Sequence, residues 1–353
     1  MNRIILLLFL LFGLTVQAQN HCSGAKCSES KACCAQSQVH PNTINGEVWL
    51  DTDGNPINAH GGGMMYHNGT YYWYGEYKGD YTFRSPGMGW ECYRTDFTGV
   101  SCYSSKDLKE WKFEGLALSP DTTTIYSDLH PTMVIERPKV IYNEKTGKFV
   151  MWMHVDSYDY GKACAGVAIS DTPQGPYTYL RSYRPNGAMS RDINVFKDDD
   201  GQAYVFFSSE HNGTMHICRL TDDYQDVQGK ATRNFINKSR EAPAVFKHNG
   251  KYYIISSGCT GWSPNEAEYA MADSPMGPYK AFDNPCKGKD AGATFFAQST
   301  FVLPIQGQPG KFLAMFDRWR KEHLCDSRYV WLPVHFGDDA TISLPWVDCW
   351  AAE

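Results

Sequence analysis

Five places along the chain repeat one arrangement. A polar residue heads a short apolar strand, a glycine-type turn follows, and an aromatic strand returns. The heads are His60, Glu136, Asp192, Glu241 and Gln298. Three carboxylates and an amide are a residue set for acid/base chemistry, provided the fold brings them together. In a shared, partly buried polar pocket, like charges push carboxyl pKa values apart and leave one acid protonated near neutrality. A protonated carboxyl working with an ionised one is what cleavage of a glycosidic bond requires.

Such convergence asks for a radial fold. The turns Asn68-Gly69, Asp200-Gly201 and Asn249-Gly250 lie between β-rich runs, with a further turn near Gly147 and a looser one ending at Gly310. Asn-Gly and Asp-Gly tolerate positive φ and read as hairpins. Two hairpins lead through further strand-like sequence into matching tails, Asp171-Thr172-Pro173-Gln174-Gly175-Pro176-Tyr177 and Asp273-Ser274-Pro275-Met276-Gly277-Pro278-Tyr279. Repeat starts lie about 50 to 75 residues apart, enough for a four-stranded blade with loops. The spacing predicts an all-β, five-bladed β-propeller whose first strands line the axis. A β-sandwich is the competing fold, but it gives no reason for the tails to recur.

Composition sets the outer bounds. The 353 residues are 42% hydrophobic and 20% charged, enough apolar matter for a large core. The net charge of −6 carries no basic block, which argues against nucleic acid as a partner. Met1-Asn2-Arg3, the apolar run from Ile4 to Val16 and a small-residue site at Ala18 read as a signal peptide, too short for a membrane span. The expected organisation is a signal peptide over 1–18, a Cys-rich leader over 19–40 and one catalytic domain over 41–353. Export to a secreted or periplasmic location is expected, with surface attachment through Cys22 as an option. The 12 cysteines fit an oxidising compartment. Cys22, Cys27, Cys33 and Cys34 crowd the leader, and Cys92 and Cys102 flank a short loop and are candidates to pair.

The motifs resemble those of family 43 glycoside hydrolases, nearest the branch of exo-β-1,3-galactanases. The resemblance is carried by Asn58-Ala59-His60-Gly61-Gly62-Gly63, Tyr72-Trp73-Tyr74-Gly75-Glu76, Glu136-Arg137-Pro138-Lys139, Ser190-Arg191-Asp192, Glu241-Ala242-Pro243-Ala244, Thr260-Gly261-Trp262-Ser263-Pro264-Asn265, Ala297-Gln298-Ser299-Thr300 and Asp317-Arg318-Trp319. It implies a five-bladed propeller that inverts anomeric configuration. Glu241 matches the family's acid and Asp192 the aspartate that tunes it. The usual first-blade aspartate base is replaced by His60, a departure shared with the galactanase branch. There a fifth-blade glutamine is proposed to activate water; Gln298 matches it, and Glu136 matches a supporting glutamate.

A neutral amide is a poor base, so Gln298 orients water or relays a proton, and Asp192 or Glu136 is an alternative base. Inversion calls for about 6.5–9.5 Å between acid and water-activating group. Each residue also has a plainer reading. Glu241 could pair with Arg240 or Arg191, Asp192 with Arg191, and Glu136 with Arg137. His60 could seat a tight turn, Glu76 could end a strand in solvent, and Asp317 could lock Arg318. Their expected roles are sugar contacts, together with Trp262 and Tyr160 as stacking platforms. Trp73 and Trp152 are expected in the core. Asp198-Asp199-Asp200-Gly201 lacks the rest of a calcium loop and reads as a solvated hairpin. No metal or cofactor is expected.

The expected function is therefore an inverting exo-glycosidase on β-1,3-galactan or a related glycan, acting as a monomer. Two readings compete: an arabinofuranosidase or galactofuranosidase on the same scaffold, and a propeller that binds glycan without hydrolysing it.

Overall fold

A computed structural model describes residues 39–352. The expected signal peptide and Cys-rich leader lie outside the described residues. No helix among those described is long and apolar enough to cross a membrane.

The described residues are almost wholly strands joined by turns and short 3-10 segments. Four sheets have four strands each, paired antiparallel in sequence order. Their first strands are His60–His67, Val134–Asn143, Ile193–Lys197 and Arg240–His248. A fifth sheet begins with Gln298–Pro304 and continues through Phe312–Arg318 and Arg328–Pro333. These five first strands pack against one another in a closed ring, the fifth returning to the first. The turns form as their residues dictate: Asn68 and Gly69 have φ of 48° and 78°, Asn249 and Gly250 have φ of 46° and 75°.

An all-β propeller was the expected class, and it is observed. The count of sheets differs from the expected five. A sixth sheet, three-stranded, is built from Cys286–Lys287, Ile342–Pro345 and His335–Phe336, and a two-stranded hairpin of Phe83–Arg84 and Tyr93–Arg94 is inserted in the first sheet's loop. The sixth sheet arises because the chain, after the third strand of the fifth sheet, turns back and pairs in parallel with Cys286 and Lys287. It contains none of the five ring strands.

Five apolar clusters sit between neighbouring sheets. Tyr74 and Val140 meet between the first and second, and Trp152 and Val205 between the second and third. Phe206 packs with Ile254, Phe246 with Phe312, and Trp73 with Met315 and Trp331. Trp73 and Trp152 are buried as expected. Truncating either to alanine removes a large buried side chain and costs about 3–5 kcal/mol. The ends of the described segment close on each other: Ile44 bridges Cys349, and the Asn45 side chain bonds both backbone groups of Trp331 at 2.7 and 2.8 Å.

The expected pairing of Cys92 with Cys102 is not observed. Both are free, as are all eight cysteines among the described residues. Cys102 lies in the core cluster between the first two sheets, whereas Cys92 sits in the loop beyond them.

Candidate active site

The same backbone device presents four of the five heads. Just after His60, Glu136, Glu241 and Gln298 the strand register slips, forming bulges. Gly61, Arg137 and Ala242, each directly after its head, have φ of 59°, 56° and 52°. A bulge bends the strand and re-aims the side chain beside it. Two of these positions are not glycine, so strain is held at the ring's mouth, as is common where function needs a fixed geometry. Each head also faces a polar partner on its second strand: His60 faces Glu76, Glu136 faces His154, Glu241 faces Ser257 and Gln298 faces Asp317. Asp192 precedes its strand and is tied by its carbonyl to the Ser208 amide at 3.0 Å.

A cavity of about 690 Å³ opens at this mouth. Glu241, Glu136, Asp192, Gln298, Glu76, Tyr160 and Trp262 all line it. His60 and Asp317, expected as sugar contacts, are not among its lining residues. Both are buried behind the wall: Asp317 accepts from the Gly61 amide at 3.1 Å and lies 3.4 Å from His60 Nδ1. His60 stacks on Tyr329 at 5.1 Å. The pair braces the first bulge.

The carboxyls are driven apart electrostatically. Burial raises the Glu241 pKa to about 8, and the Asp192 charge adds to it against the opposing pull of Arg137. Glu136 goes the other way. Burial raises it, but the His154 hydrogen bond and charge, Lys78 and the Tyr160 hydroxyl outweigh burial and bring it to about 2. Tyr160 donates to Glu136 at 2.9 Å, and His154 Nδ1 lies 3.2 Å from it. His154 is also 2.9 Å from Asp156. Burial disfavours its charge, yet the two carboxylates raise its pKa to about 9. Glu136, His154 and Asp192 bring ligand atoms within 4.8 Å of one another.

Gln298 is held by both ends of its amide. Its oxygen accepts from Arg137 at 2.5 Å and from the Trp319 indole at 3.0 Å. Its nitrogen donates to Glu241 at 3.1 Å and to Ser257 at 2.9 Å. Arg and Trp only donate, so they fix which end of the amide faces the acid. The expected wide gap between Glu241 and Gln298 is therefore absent: the two side chains touch, because a neutral amide N–H satisfies the acid's oxygen without like-charge repulsion.

None of the ion pairs between sequence neighbours forms. Arg137 reaches Asp192 at 3.1 Å instead of Glu136. Arg240 turns to Ser256 and Glu268, and Arg191 to the Tyr160 carbonyl. Asp192 also accepts from the Ala242 amide at 3.0 Å, which locks it beside Glu241. Glu76 is buried, ion-paired with Lys78, and accepts from the Arg137 amide at 3.0 Å.

Sequence reasoning missed Arg137, Trp90, Asn212 and Trp319 as cavity residues. Trp90 packs edge-on against Tyr160 at 5.7 Å, and Trp319 against Trp262 at 5.6 Å. Arg137 and Trp319 each stood inside a quoted motif, one position from Glu136 and two from Asp317. Trp90 and Asn212 lie in loops with no repeat signal.

Comparison with known proteins agrees with this geometry. The family model for glycosyl hydrolases family 43 matches residues 54–286. A β-D-galactofuranosidase of Aspergillus niger is 30% identical over 149 residues, covering 39% of this chain and 43% of that protein. A β-xylosidase of Xylanibacter ruminicola is 29% identical, covering 38% and 53%. The chain thus spans about half the length of these curated relatives. Among solved structures, a GH43 β-1,3-galactosidase bound to galactodeoxynojirimycin is 43% identical at a TM-score of 0.81, over 87% of this chain and 99% of that one. The exo-β-1,3-galactanase of Phanerochaete chrysosporium with β-1,3-galactotriose is 38% identical at a TM-score of 0.76, over 86% and 67%. That of Clostridium thermocellum is 42% identical at 0.75, over 86% and 65%. With the matched model covering well over half its length, the chain belongs to glycosyl hydrolases family 43.

Proposed function

We propose that the protein is an inverting exo-glycosidase that removes galactose from β-1,3-galactan. One observation carries the reading: two carboxyls in one cavity have pKa values of about 8 and about 2, so one is an acid and the other an anion at neutral pH. A β-1,3-galactosidase matched over nearly its whole length, and two longer exo-β-1,3-galactanases matched over about two thirds of theirs, all at about 40% identity, support the substrate class.

In this mechanism Glu241 gives its proton to the departing glycosidic oxygen as the C1–O bond breaks. A water attacks C1 from the opposite face and its proton passes to Glu136, the ionised group. Gln298 is a positioning amide: Arg137 and Trp319 anchor its oxygen, and its nitrogen leaves Glu241 to meet sugar or water. Asp192 sustains the acid by its charge. Trp262 and Tyr160 offer ring faces to the sugar, and Glu76 a carboxylate. No cofactor enters.

We read the propeller as five-bladed, with the sixth sheet as an edge added to the fifth blade. The five-membered ring of first strands and the five core clusters support this. The N-terminal run supports export, to the periplasm or outside, and the protein is read as a monomer.

The rival within the family is a furanosidase or xylosidase, which the curated relatives favour. Product analysis on β-1,3-galactan and on aryl furanosides and xylosides separates them. Galactose from galactan with inert furanosides is expected, and the reverse pattern overturns the assignment. Binding of galactan with no sugar released, even at high protein load, indicates the glycan-binding alternative.

A further inference from the structure

Beneath the cavity floor lies a buried cation that the mechanism above does not use. Lys139 sits on the inner strand of the second sheet, three residues after Glu136, and is 1% exposed. Its Nζ lies 2.9 Å from the Gly61 carbonyl and 3.4 Å from the Arg137 carbonyl. Those are the two left-handed residues of the first and second bulges. Its stem lies against Gly63, where an added Cβ would come within 2.6 Å of it.

We propose that Lys139 is a positioning residue for the active site: its ammonium clamps the bulge carbonyls of the first two sheets and so fixes the Arg137 guanidinium that holds Gln298 and Asp192. This rests on the catalytic reading above. Three observations converge on it. First, Arg137 adopts φ of 56°, a conformation a β-carbon disfavours, so something must hold it. Lys139 bonds that residue's own carbonyl. Second, an ammonium inside a protein is costly unless its donors are used, and here the partners come from two separate sheets. Third, Lys139 belongs to a belt of ties around the axis. Asn194 donates to the Pro243 carbonyl at 2.8 Å, Thr300 to the Gly62 carbonyl at 2.6 Å, and Ser299 to the Ala242 carbonyl at 2.7 Å. Lys139 is the member of that belt that reaches the Arg137 backbone.

Burial and the adjacent Arg137 charge lower the Lys139 pKa to about 7, against Glu76, Asp192 and Asp317, so the clamp rests on the N–H donors, which the neutral amine retains, more than on the charge. The charged and titratable groups acting on Glu241 are Asp192, Arg137, Cys259, Glu136 and the adjacent Arg240, and of the two cations Arg137 does more to hold its pKa down. Loosening Arg137 removes that restraint, so the Glu241 pKa rises and the alkaline limb of activity moves to higher pH.

The test compares wild type with K139M and K139Q. Methionine keeps the stem and removes the donors; glutamine keeps a donor without the charge. For K139M we expect kcat on β-1,3-galactan to fall by about tenfold. We also expect its alkaline limb to rise by about half a pH unit. K139Q should fall between K139M and wild type on both. A general loss of packing would lower the melting temperature and leave the limb in place. A crystal structure of each variant reads the Arg137 φ and the Arg137–Gln298 contact without substrate. An unmoved Arg137 with a wild-type limb in folded K139M overturns the proposal. If K139M does not fold, the same result in K139Q overturns it. If wild type itself releases no galactose, the catalytic reading fails, and the variant structures still decide whether Lys139 fixes Arg137.

Discussion

Replacing Glu241 with glutamine separates catalysis from stability, because the two should change in opposite directions. E241Q keeps the shape of the side chain and an acceptor for the Gln298 amide at 3.1 Å. It removes the proton that the leaving oxygen needs. A positioned general acid contributes about 10²–10⁴-fold, so kcat on a β-1,3-galacto-oligosaccharide should fall by that factor. A dinitrophenyl β-galactoside needs no proton on its leaving group and should retain most of its rate. The stability effect follows from linkage. The wild-type carboxyl titrates at about 8 in the fold and near 4.5 when free. Between those values the folded state holds a proton that the unfolded state has lost. Wild-type stability therefore falls as pH rises through this window, by about 1.4 kcal/mol per pH unit at most. Glutamine carries no such penalty. Relative to wild type, E241Q should gain a few kcal/mol between about pH 5 and pH 8, read as a melting temperature rising by about 2–4 °C per kcal/mol. Full activity on the oligosaccharide in E241Q would refute the acid assignment. A melting difference that does not change with pH would refute the raised pKa.

Other perturbations test the neighbouring groups. E136Q should lower kcat by about 10²–10³-fold on natural and activated substrates alike, because a base is needed whatever the leaving group; a loss confined to poor leaving groups would make Glu136 part of the acid machinery instead. Since Glu136 titrates at about 2, wild-type activity should not fall on its account until strongly acidic pH. His154 is raised to about 9 from an ordinary 6.5, so its contribution to stability is complete below about pH 6.5 and fades as pH rises through 9. H154Q should therefore be less stable than wild type at pH 6 and closer to it at pH 10 by thermal melting; a constant gap contradicts the charged His154.

Much of this site was legible because it is repeated. The heads Glu136, Asp192, Glu241 and Gln298 stand at equivalent points of successive sheets, and topology alone carries them to one mouth. Their second-strand partners were less visible. Register across a hairpin sets His154 opposite Glu136 and Ser257 opposite Glu241, and nothing in composition announces it. The bulges were invisible for a similar reason: glycine marks the first at Gly61, but Arg137 and Ala242 adopt the same backbone through tertiary restraint. That restraint also explains the ion pairs. The bulge after Glu136 turns both Glu136 and Arg137 toward the cavity, where Glu136 is taken by His154 and Tyr160 and Arg137 reaches across to Asp192 and Gln298. His60 read as a sugar contact because it heads the first strand, and Asp317 because it ends a strand near the axis, yet the two sit against each other behind the cavity wall. The sixth sheet could not be foreseen, because its parallel pairing joins segments about 55 residues apart with no turn signal between them.

The account centres on direct displacement at C1 with Glu241 as acid. Following hydrolysis of β-1,3-galactan by proton NMR in its first minutes tests it most directly. Inversion predicts that α-galactose appears first and then relaxes to the equilibrium mixture. β-Galactose as the first product would contradict the mechanism.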